Sequence, residues 1–118
     1  MAQGYGQLVV GFATFVPNGS QFQTLVDNFG IRSVERLVAG RWRVTLSEKS
    51  PGFAPCVVCV ENDTTNLHDV RLEAISIANG TFDFVHRTAA FGSLGSLALS
   101  DTVDQLIIQV IGRISVGG

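Results

Sequence analysis

The feature that most constrains this chain is the period of its apolar residues, which is two almost everywhere and 3.6 almost nowhere. Segment 41–46 reads RWRVTL. Trp42, Val44 and Leu46 fall on one side, and Arg41, Arg43 and Thr45 on the other. Segment 70–78 (VRLEAISIA) alternates in the same way. It runs into Asn79-Gly80, a strong hairpin signal, and Phe82 and Phe84 then share one face of the return strand 81–87. Further strands are expected at 8–16, 31–38, 56–62 and 104–114, with a weaker one in 21–30. Turns fall at Pro17-Asn18-Gly19 and Ala39-Gly40, a proline loop at 47–55, a polar loop at 62–69 and a glycine- and serine-rich connection at 92–101. Ser100 and Asp101 give 101–108 a capping-like start, but the β-branched run after it favours a strand there. The fold class is therefore all-β: an antiparallel β-sandwich or jelly roll of about 7–9 short strands. Residues 1–7 read as an N-terminal arm and 8–116 as a single domain, as expected for 118 residues.

Two strands are apolar on both faces. In 104–114, Leu106, Ile108 and Val110 oppose Ile107, Gln109 and Ile111. In 8–16, Leu8, Val10 and Phe12 oppose Val9, Ala13 and Phe15. One face of a sandwich strand meets the core and the other usually meets water, so a doubly apolar strand implies a second partner. Charged residues are only 15% of the chain, few for the surface of a small domain. Both observations point to self-association, with Val9, Ala13, Phe15, Ile107, Gln109 and Ile111 as candidate interface residues. A net charge of −2 offers nothing to nucleic acid, and no segment is long and apolar enough to span a membrane as a helix. The first ten residues lack the basic start and long apolar run of a signal peptide.

Cys56 and Cys59, the only cysteines, stand in a C-x-x-C spacing, with His68 and His86 downstream. Val57 and Val58 between them favour extended backbone, which sends the two thiols to opposite faces roughly 10 Å apart. That separation exceeds disulfide reach, and the spacing to the histidines fits no common zinc finger. Both cysteines read as small apolar strand residues with different surroundings. His68 reads as a loop residue beside Asp69, and His86 as a half-buried or interface residue. No nucleophile elbow is present, and GSLGS at 92–96 lacks the lysine of a phosphate loop. We expect no catalytic site, cofactor or metal. Arg32, Arg36, Arg41 and Arg43 cluster on neighbouring strands, either as a solvated mixed-charge face or as a contact surface for an acidic protein.

The stretch 28–62 resembles a module found near the tips of bacteriophage tail fibres and in phage head-decoration proteins. The matching features are Ile31-Arg32-Ser33-Val34, Gly40, Trp42-Arg43-Val44-Thr45-Leu46, Pro51 and Val58-Cys59-Val60. Phe82, Phe84, Asp101, Asp104, Val110 and Gly112 continue the likeness toward the C-terminus. The resemblance implies a trimeric β-sandwich, akin to the jelly rolls of tumour necrosis factor, with doubly apolar strands near the three-fold axis. The expectation is a virion structural protein: a non-enzymatic decoration (cement) protein, assembled in the host cytoplasm and bound to the major capsid protein. Entry into the first strand by residue 8, without a stalk, favours decoration. Candidate contacts to the capsid are Tyr5, Lys49, Phe53, Arg32 and Arg43. The alternatives are a receptor-binding fibre tip and a small jelly-roll enzyme or ligand-binding domain.

Overall fold

The computed structural model describes residues 4–116, leaving aside the side chains of 4–7, 93, 94 and 113–116. Nine strands build two antiparallel sheets that pack as a β-sandwich, with no α-helix among the described residues. The strands are β1 (Gly4–Phe15), β2 (Val26–Phe29), β3 (Ile31–Val38), β4 (Arg41–Leu46), β5 (Phe53–Val60), β6 (Asn66–Ser76), β7 (Thr81–Ala90), β8 (Ala98–Leu99) and β9 (Gln105–Val116). Sheet A has the order β2-β1-β9-β5. Sheet B has the order β3-β4-β7-β6, and β8 extends it by pairing with the end of β7.

The alternation seen in the sequence decides which side chains meet between the sheets. Val34, Trp42, Val44, Phe82 and Phe84 come from sheet B, and Ala13, Phe15, Leu106, Ile108 and Val110 from sheet A. All ten are at most 1% exposed. The aromatic centre is Phe15, Trp42 and Phe84. Trp42 and Phe84 stack at 5.3 Å, and Phe15 meets Trp42 edge-on at 5.8 Å. Such pairs add about 0.5–1.5 kcal/mol beyond the area they bury. Burying each large side chain contributes roughly 1.5–3 kcal/mol, so this layer holds the two sheets together.

The hairpin β3–β4 turns at Gly40, as expected, with φ of +77°. A Cβ there would stand 2.4 Å from the backbone nitrogen of Ser100, so glycine serves both the turn and the passage of the strand β8 connection. Several element limits differ from the sequence reading. Strand β1 begins at Gly4 and pairs with β9 as far as Val116, so residues 4–7 belong to the sheet. Strand β5 starts at Phe53 and includes Pro55, which an edge strand tolerates. Strand β6 starts at Asn66, so His68 lies on a strand and not in a loop. The connection 91–101 holds a 3₁₀ helix, Phe91–Ser96, followed by β8.

The correction with most consequence lies in β1. Its register with β9 shifts between Val9 and Gly11, a bulge at Val10. Val9 pairs with Ile111 and points outward. Beyond the bulge the phase reverses: Ala13 pairs with Ile108 and Phe15 with Leu106, both in the core. Gly112 makes room for the bulge, because a Cβ there would meet Val10 Cγ1 at 2.5 Å. Ala13 and Phe15, at 0% and 1% exposure, are thus core residues and not interface residues. Phe12 and Thr14 take the outward positions.

Candidate association surface

The two outer faces of the sandwich are chemically opposite. On sheet B, Glu35, Arg43, Asp83 and Glu73 stand in one row across four strands. Arg43 makes two hydrogen bonds to Asp83, at 2.8 and 3.1 Å, and Arg41 reaches Glu73 at 2.7 Å. Arg87 pairs with Asp69, and Arg36 meets Asp101 at 2.9 Å. Cationic and anionic side chains interleave, as they do on a face turned to water. Each exposed pair contributes under about 1 kcal/mol.

The outer face of sheet A carries no charge on its three longer strands between residues 105 and 111 of β9 and their partners. From β1 come Val9, Phe12 and Thr14; from β9, Gln105, Ile107, Gln109 and Ile111; from β5, Ala54, Cys56, Val58 and Val60. At the edge, Phe29 of β2 stacks on Phe12 with centroids 6.4 Å apart, and Val26 lies beside Thr14. Val58, Val60, Ile111, Val26 and Phe29 remain 38–54% exposed. Three strands about 8 residues long and β2, of 4 residues, spaced about 4.8 Å apart, give a projected face of roughly 450 Å². Patches of this size are among the largest that monomers expose and are often functional.

The expected interface residues divide accordingly. Val9, Ile107, Gln109 and Ile111 stand together on this face, while Ala13 and Phe15 lie beneath it. Phe12, Val58, Val60 and Phe29 belong to the face but were not singled out from the sequence. The bulge hid Phe12, whereas the alternation of Ala54, Cys56, Val58 and Val60 was readable once β5 was extended to Phe53. The capsid-contact candidates do not converge. Phe53 packs against the core beside Phe82 at 6.2 Å, and Arg43 is engaged by Asp83. Lys49 and Arg32 are exposed on separate segments, and the side chain of Tyr5 lies outside the described residues.

The cysteines answer the C-x-x-C question. Cys56 pairs with Gln109 on the outer face and is exposed; Cys59 pairs with Leu106 and packs against the core. Burial pushes the Cys59 thiol up from its ordinary value. Cys56 is exposed on the outer face of sheet A while His86 is buried in sheet B, and among the described residues no three His, Cys, Asp or Glu side chains gather as a metal-binding group. His86 is fully buried, and burial holds its ring below the ordinary histidine value. It stacks on His68 with centroids 5.1 Å apart. No family model, curated protein or solved structure matches this chain.

Proposed function

We propose that this chain is a non-catalytic structural protein of a virion, a capsid-decoration protein whose protomers associate through the outer face of sheet A. The carrying observation is the contrast between the two outer faces, one interlaced with ion pairs and the other without charge on β9 from residue 105 to 111 and on its partners in β1 and β5. The favoured occupant of the uncharged face is a second copy of the chain. The face has no charge for a charged partner to complement, and apolar surface is complementary to itself. Two such faces would remove about 900 Å² from water, in the range of weak, reversible interfaces. Around a three-fold axis each such face would meet two neighbouring copies, as in the trimer of the resembled module. Three joined protomers then grip a repetitive surface such as a capsid through avidity, so each foot can be weak.

Two measurements test this reading. Light scattering at micromolar concentration should give a mass near three times 12.6 kDa, and a stable monomer would refute association. Mass spectrometry of purified virions should find the chain in numbers comparable to the capsid subunit. Its absence, or a few copies with glycan binding by the isolated protein, would favour a fibre tip instead.

A further inference from the structure

The two sheets end in edge strands, β2 and β5 in sheet A and β3 and β6 in sheet B. An edge strand leaves a row of backbone N–H and C=O groups open to any other strand unless something blocks it. All of these edges but one are blocked. Strand β2 is four residues long, meets β1 through an irregular register and carries Asp27 at a φ of +52°. Strand β3 is covered by the segment before β2: Gln23 N–H donates to the Val34 carbonyl at 2.9 Å, and Arg36 N–H to the Gln21 carbonyl at 2.7 Å. Strand β6 carries Asp69, Arg71 and Glu73, and its register breaks between Glu73 and Ser76, where Ala74 has a φ of +39°. Strand β5 differs from all of them. It pairs with β9 in unbroken register from Phe53 to Val60 and holds no charged residue. Among the described residues its other side meets no backbone partner. Its core-facing side chains are also incompletely covered. Phe53, Val57 and Cys59 are only partly buried, as are Val70 and Leu72 of β6, whereas Leu106 and Ile108 one strand further in are 0% exposed.

Pro55 fixes which groups face the open side. It has no N–H to give to β9, so it and the residues of its parity, Phe53, Val57 and Cys59, turn their backbone groups away from β9. We propose that this edge pairs with β5 of a second copy, antiparallel, across a two-fold axis at Cys56. The two-fold keeps outward residues on the outward face, so even-numbered positions oppose even-numbered ones. With Cys56 opposite Cys56 the register spans the whole strand: Phe53 of one copy meets Cys59 of the other, and Pro55 meets Val57. It forms about six backbone hydrogen bonds, lacking only the proline donors, against about four when the axis lies at Val57 or Val58. The occupant is a copy of this chain because β5 matches itself. No charge is set against charge, and Phe53, Val57 and Cys59 each gain an apolar neighbour on their half-covered side. The contact is separate from the one through the outer face of sheet A. It is small beside the cost of joining two bodies, so it forms where copies are concentrated.

The test is disulfide trapping. Residues opposed in a non-hydrogen-bonded antiparallel pair have Cα atoms about 4.5 Å apart, inside disulfide reach. The full-length chain at millimolar concentration is treated with diamide, which takes two electrons and two protons from two thiols and leaves one disulfide. The expected product is a covalent pair linked Cys56 to Cys56. It should form at least about tenfold faster than in a control whose sole thiol lies in the exposed 17–20 loop, Ser20→Cys with Cys56→Ser and Cys59→Ser. Amide exchange at Val57 and Cys59 should slow as concentration rises, while Val58, bonded to β9, stays protected throughout. Ile107→Lys, which alters the outer face alone, should cross-link at the parent rate. Linking no faster than the control overturns the proposal and leaves the edge to an extended segment of another protein. Linking that is lost in Ile107→Lys also overturns it, because Cys56 then belongs to a face-to-face contact. So does exchange at Val57 and Cys59 that ignores concentration.

Discussion

Ile107 and Ile108 are chain neighbours with opposite duties, and exchanging each in turn separates folding from association. Ile108 is 0% exposed, between Ala13 and Val57 in the pairing of the sheet. Ile108→Ala removes three carbons, about 2.4 kcal/mol at 0.8 kcal/mol each. The cavity left behind adds about 1–2 kcal/mol, for a total near 3–4 kcal/mol. In a domain of this size that lowers Tm by roughly 10–20 °C. Ile107 lies between Thr14 and Val58 on the outer face. Ile107→Lys should leave the separated protomer within about 0.5–1 kcal/mol of the parent. In the assembly it buries a charge with no partner, which costs several kcal/mol and weakens association more than hundredfold. The assay pairs urea unfolding at submicromolar protein with sedimentation velocity over a concentration series. The reasoning fails if Ile107→Lys sediments as the parent does. It fails equally if Ile107→Lys destabilises the dilute protomer as much as Ile108→Ala.

Three further outcomes follow from the same geometry. Because burial lowers the His86 pKa, the unfolded chain takes up a proton there before the folded one does. Stability should therefore fall as pH drops through about 6.5, by up to about 1.4 kcal/mol per pH unit, and urea midpoints for His86→Gln should show a flatter slope. A thiol reagent should modify Cys56 much faster than Cys59 in dilute protomers, and assembly should slow Cys56 alone; single-cysteine variants resolve the two rates. Gly40→Ala should cost at least about 2 kcal/mol by chemical denaturation, because it combines positive φ with a backbone clash at Ser100.

Strand alternation made much of the fold legible. Trp42, Val44 and Leu46, Phe82 and Phe84, and Leu106, Ile108 and Val110 all proved to be core, because local period and burial agree wherever a strand is regular. Legibility ended where regularity did. A bulge carries no sequence mark beyond the glycine that accommodates it, so Ala13 and Phe15 were placed on the wrong face by one step of phase. His68 stands on β6 because pairing with Thr88 overrides the loop tendency of the polar stretch before it. The ion pairs Arg43–Asp83 and Arg41–Glu73 depend on strand order, which composition does not encode. The likeness to phage modules carried an expectation about oligomers, while the charge-free face came from pairing β5, β9 and β1 in register.

The bulge at Val10 also bears on how the chain can change over time. It acts as a parity switch: Val9, before it, looks outward, and Ala13 and Phe15, beyond it, look inward. An insertion or deletion of one residue before Val10 would exchange the faces of the N-terminal segment and leave Ala13, Phe15 and the aromatic centre in place. Beyond the bulge Ala13 and Phe15 answer to the core while Phe12 and Thr14 answer to the outer face, so one strand serves two constraints at once.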